Sequence, residues 1–79
     1  MDKPEYPPQV KQVFELLPDA VCLAMDKDGS WYCFDEAPYI DFDVNRWIGG
    51  DGAWACEVTL GDYKEEHWNE SLIMREDVL

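Results

Sequence analysis

The sequence predicts an α+β fold: a short N-terminal helix packed on a small antiparallel β-sheet of about four strands. Two patterns carry this reading. Val10, Val13, Phe14 and Leu17 recur at i, i+3, i+4 and i+7, the apolar stripe of a helix. Beyond Pro18 the apolar residues change to alternation, and the alternating segments are divided by Asp- and Gly-rich turns.

The elements follow in order. Residues 1–8, with Pro4, Pro7 and Pro8, form an extended lead-in. Pro8 suits the first turn of the helix and Pro18 stops it. So short a helix is not stable alone and has to pack on something. A single domain spans 9–75, and residues 76–79 are expected to fray.

The first strand is Ala20 to Met25, with Val21, Leu23 and Met25 on one face and Ala20, Cys22 and Ala24 on the other. Asp26-Lys27-Asp28-Gly29 is a turn, and Ser30 to Phe34 is the returning strand. A four-residue loop sets Met25 opposite Ser30 and Cys22 opposite Cys33. A tighter turn or a bulge shifts that register.

Tyr39 to Val44 alternates strictly, as a short edge strand or an extended connection. Asn45 to Ile48 reads as a strand, Gly49-Gly50-Asp51-Gly52 as a hairpin turn, and Ala53 to Thr59 as the returning strand. A symmetric turn there pairs Trp47 with Trp54 across the strands. Gly61 to Glu66 is a polar loop. His67 to Met74 closes the fold as a helical turn or a last strand.

Composition bounds the function. The chain has 79 residues, 6 Lys+Arg against 18 Asp+Glu, and a net charge of −12. Direct nucleic-acid binding needs clustered cations to neutralise phosphates, so this charge argues against it. At 47% hydrophobic residues the chain is too apolar for a disordered tail. The longest apolar run, Ala20 to Met25, cannot span a bilayer, and the N-terminus has no apolar leader core. These features predict a cytoplasmic location. High like-charge density predicts a monomer or a weak homodimer.

The candidate chemistry is sparse. Cys22, Cys33 and Cys56 lack paired spacing and read as reduced, buried small hydrophobes. With His67 they are the one four-ligand zinc set free of carboxylates, but zinc knuckles are missing, so no metal is expected. Asp26-Lys27-Asp28-Gly29-Ser30 begins like a calcium loop, yet Trp31 and Ala37 stand where Gly and Glu are required. The Gly49–Gly52 run leads into a strand with no following Lys, which is unlike a phosphate loop. No nucleophile has a recognisable oxyanion partner. The expectation is a protein that is not an enzyme and takes no cofactor.

What remains is acidity with aromatic residues. Trp31, Trp47, Trp54 and Trp68 cannot all be buried in so small a domain, so one or two rings are exposed. Carboxylates are densest from Asp26 to Asp43, with Lys27 alone opposing them. Asp41 and Asp43 on one face of an extended segment would lie about 6.8 Å apart, near the spacing of successive phosphates on one strand. The candidate partner-binding residues are Asp26, Asp28, Asp35, Glu36, Asp41, Asp43 and an exposed Trp68. Their partner is a basic protein surface. The alternative is that acidity serves solubility alone.

The stretch Ala24 to Pro38, with its Asp26-Lys27-Asp28-Gly29-Ser30-Trp31 core, resembles a class of short, uncharacterised phage and prophage proteins. Trp47 and the ending Trp68-Asn69-Glu70-Ser71-Leu72 extend the likeness over about Leu17 to Met74. The resemblance implies a small sheet domain of viral or prophage origin, working in a bacterial host cell, and transfers no catalytic residue. In size and acidity alone the chain also resembles phage anti-CRISPR and DNA-mimic inhibitors. That likeness implies a target among host nucleic-acid enzymes.

Overall fold

The computed structural model describes residues 6–79, so the first five residues of the lead-in lie outside the description. Helix α1 runs Pro8–Leu16 with proline in its first turn. Val10 and Phe14 are fully buried, and Val13 and Leu17 pack beside them. The helix stripe is therefore the one expected.

The last carbonyls of a helix have no partner within it. Here Arg75, far along the chain, supplies one. Its Nη1 donates to the carbonyls of Phe14 at 2.7 Å, Leu17 at 3.3 Å and Ala20 at 3.3 Å. The guanidinium also lies over the Phe14 ring. Where fraying is expected, Arg75–Asp77 forms a 3-10 turn and Val78 packs on the core.

Four strands form the main sheet: β1 Cys22–Met25, β2 Trp31–Phe34, β5 Ala55–Val58 and β6 Ile73–Met74, in the order β5-β2-β1-β6, antiparallel throughout. A separate two-stranded ribbon joins β3 Tyr39–Asp41 to β4 Arg46–Ile48. The α+β expectation holds, with the ribbon as an added layer. Leu23, Met25, Trp31 and Cys33 face α1. Cys22, Ala24 and Phe34 face the other way, against Trp47 of the ribbon. The small Cys22 and Ala24 leave room for that indole.

Several registers differ from expectation. The first hairpin pairs Met25 with Trp31 and Cys22 with Phe34, so its loop holds five residues and Cys33 faces Leu23 instead. Asp26 N–H donates to the Ser30 carbonyl and Gly29 N–H to the Asp26 carbonyl. Gly29, at φ +92°, takes the left-handed conformation the loop requires. The Trp47–Trp54 pair does not form. Strand β4 pairs with β3, while β5 crosses to the edge of the main sheet beside β2. Trp47 gains more by burial on Cys22, Ala24 and Phe34 than an exposed two-stranded pair would give. Trp54 is left on the surface, and so is Cys56, because α1 does not cover the edge strand.

The region His67 to Met74 contains both predicted forms: a 3-10 turn at Trp68–Glu70 and then β6. Among the described residues, no helix is long and apolar enough to cross a membrane.

Candidate functional site: the tip of the β3–β4 ribbon

The ribbon turns at residues 42–45. Its alternation stops at Asp41, whose Oδ1 accepts the N–H of Asp43 at 2.9 Å. This side-chain-to-backbone bond makes an Asx turn. Asn45 closes the turn at φ +57°, a conformation Asn tolerates better than most residues. The turn throws Phe42 and Val44 outward, 65% and 53% exposed.

Phe42 does not stand alone. Its ring meets Trp68 edge-on with centroids 5.8 Å apart. The Trp68 carbonyl in turn accepts the indole N–H of Trp47 at 3.1 Å and the Ser71 hydroxyl at 2.6 Å. Ser71 is buried; its oxygen accepts the Met25 N–H at 2.8 Å, and its single proton is shared between the Trp68 carbonyl and the Met25 carbonyl 3.1 Å away. The tip is therefore seated on a chain of hydrogen bonds that reaches the main sheet.

Beside the tip lies a hollow of about 310 Å³ lined by Asp26, Lys27, Asp28, Val44, Asn45 and Arg46. Lys27 N–H donates to the Asn45 carbonyl at 3.3 Å and joins the two loops. Asp28 is exposed on this rim. Its Oδ1 accepts the Ser30 N–H at 2.9 Å, and this backbone bond, with the Ser30 side chain, holds its carboxyl below the ordinary value.

The structure brings together five of the seven predicted residues, Asp26 from beneath the surface of the hollow and four more around it. Asp28, Asp41, Asp43 and Trp68 lie at the end of the molecule where the two loops meet. Three corrections follow. Asp26 is not a surface carboxylate: it is 4% exposed and accepts the Trp47 N–H at 2.8 Å. Burial satisfies a backbone donor that would otherwise be orphaned. Asp41 and Asp43 are not neighbours on one face of a strand, because the Asx turn intervenes, so the phosphate-like spacing does not arise. Trp68 is half-buried, and the exposed ring at this end is Phe42.

Asp35 and Glu36 lie at the opposite end of β2, roughly 14 Å along the strand. Asp35 accepts the N–H of Trp54 at 3.0 Å, and the Glu36 carbonyl accepts the Cys22 thiol at 3.5 Å. Other exposed acids, among them Glu15, Asp51, Glu57, Asp62 and Glu70, are spread over the helix, loops and edge strand. The negative charge envelops the molecule and is not gathered on one face.

Among the described residues, no group of three or more His, Cys, Asp or Glu side chains is placed to hold a metal ion. Cys22 and Cys33 face opposite sides of the sheet, and His67 is exposed. Phe42 and Val44 are the site residues sequence reasoning missed. Their signal was the turn chemistry of Asp41, Asp43 and Asn45, which outweighed the apolar alternation.

The chain matches no family model, no curated protein and no solved structure.

Proposed function

We propose that this chain is a protein-binding module whose contact surface is the ribbon tip, and that its partner presents a basic surface with an apolar hollow. The observation that carries the reading is the exposure of Phe42 and Val44, which alternate with Asp41 and Asp43, on a base held by Trp68. An exposed aromatic on a supported turn is suited to act as an anchor. The net charge of −12 raises the encounter rate with a cationic partner. Host enzymes that hold nucleic acid carry such surfaces, and inhibition by occupying one is the function this reading supports best.

The spread of carboxylates favours a second reading, in which the charge serves solubility and the protein is an accessory component. Phe42 separates the two. Immobilised wild-type and Phe42→Ser chains are offered a bacterial host lysate at low and high salt. The binding reading predicts a cationic protein held by the wild type at low salt, weakened by salt, lost with Phe42→Ser and competed by its nucleic acid. Identical capture by both chains rejects the ribbon tip as the site.

A further inference from the structure

Cys33 in β2 and Cys56 in β5 stand directly opposite one another across an antiparallel pair. Their side chains therefore project from the same face of the sheet. Cys33 is fully buried, Cys56 is exposed, and both are free thiols.

The kind of pair follows from the hydrogen bonds of a neighbouring strand. Met25 gives its N–H to Ser71 Oγ at 2.8 Å, and its carbonyl accepts that hydroxyl at 3.1 Å. The backbone groups of Met25 thus turn away from β2, and Met25/Trp31 is a non-hydrogen-bonded pair. Leu23/Cys33, two positions on, is of the same kind. Cys33 then directs its own N–H and carbonyl toward β5, which makes Cys33/Cys56 a hydrogen-bonded pair with Cα atoms about 5.5 Å apart. Disulfides most often have a Cα separation of about 5.5–6 Å.

We propose that Cys33 and Cys56 form a dithiol oxidation site that reacts with low-molecular-weight disulfides, Cys56 attacking first and Cys33 resolving. The Cys56 thiolate attacks one sulfur of the small disulfide. That S–S bond breaks, one small thiolate leaves and takes up a proton, and a mixed disulfide remains on Cys56. Cys33 then gives up its proton and attacks Cys56 Sγ, expelling the second small thiol. Two cysteine thiols are oxidised, and one disulfide is reduced to two thiols.

Burial, followed by the neighbouring Cys56, pushes the Cys33 thiol up, so the resolving step is the slower one and quickens with pH. Opposed Cβ atoms in a sheet sit about 4.5–5.5 Å apart, wider than the roughly 3.8 Å of a relaxed disulfide. Closing the bond draws β5 onto β2 and leaves it easily reduced. Cys22 faces the other side of the sheet and takes no part. The inference stands on the strand register and does not depend on the ribbon tip.

The test is incubation of the native full chain with oxidised glutathione at mildly alkaline pH, read by intact mass and non-reducing peptide mapping. The expected product has lost the mass of two hydrogens, links Cys33 to Cys56, leaves Cys22 alkylatable after unfolding, and reverts with dithiothreitol. A Cys33→Ala chain stops at a glutathione adduct on Cys56, and a Cys56→Ser chain does not react. A wild-type chain that stops at a lasting Cys56 adduct, links Cys22, or joins two chains through Cys56 overturns the proposal, and this holds even if Cys33→Ala fails to fold.

Discussion

The carboxylate of Asp26 accepts the backbone N–H of Trp47 at 2.8 Å, joining the first hairpin loop to the ribbon across twenty-one positions of sequence. Arg46 Nε lies 3.6 Å from the other oxygen, but its side chain is 59% exposed, so this ion pair adds little. The bond to Trp47 matters more, because a lone two-stranded ribbon is marginal in water. Asp26→Ala should cost about 1–3 kcal/mol by leaving that N–H unpaired. Asp26→Asn keeps an acceptor and should cost less, while Asp28→Asn at the exposed loop tip should change stability by under about 0.5 kcal/mol. Urea midpoints of the three variants check the order.

Ser71 completes the edge of β1. Its hydroxyl bonds the N–H and the carbonyl of Met25, doing the work of a backbone partner where β6 has ended. Ser71→Ala should destabilise the domain by about 1–3 kcal/mol. Amide exchange at Met25 should accelerate more than at Leu23, and equal protection at both would show that the hydroxyl is not the partner.

Two tryptophans should behave oppositely. Trp31 is 1% exposed, stacks on Tyr63 with centroids 5.5 Å apart, and donates its indole N–H to the Tyr63 carbonyl at 2.9 Å. Trp31→Ala should cost about 3–5 kcal/mol, enough to unfold a domain of this size. Trp54 is 37% exposed beside the edge strand. Trp54→Ala should leave cooperative thermal unfolding within a few degrees of the parent, read by circular dichroism.

Stability should fall in alkali. Burial, followed by Cys33 and Asp35, pushes the Cys22 thiol up from 9.0 to about 11. Above pH 9 the unfolded chain ionises this thiol while the folded chain does not. Its contribution is therefore complete below pH 9 and lost as pH rises toward about 11. Burial also raises the Tyr63 phenol, with Glu65 adding to it, which extends the decline to higher pH. A Cys22→Ala chain should show a shallower loss of urea midpoint between pH 9 and 11 than the parent.

Much of the fold was legible because period and turn chemistry agreed. The α1 stripe, the Asp26–Ser30 hairpin and the β5 segment were each marked by both. Strand partners were not legible. The Gly49–Gly52 turn suggested that β4 and β5 are neighbours, but nothing local records that Trp47 fits over Cys22 and Ala24, which is what separates them. Of the site, the acidic residues were visible by type and not by burial. Asp26 looks like any loop aspartate until the Trp47 N–H is brought to it by the ribbon. Phe42 was masked by an alternation that the Asp41–Asp43 turn cuts short.

The ribbon tip as a binding surface is tested most directly by hydrogen exchange of the chain alone and in complex with its captured cationic partner. The account predicts slowed exchange at 42–45 and around Trp68, and a Phe42→Ser chain that keeps the parent's melting temperature while dissociating faster. Slowed exchange confined to α1 or the β5 edge, with the tip unchanged, would contradict it.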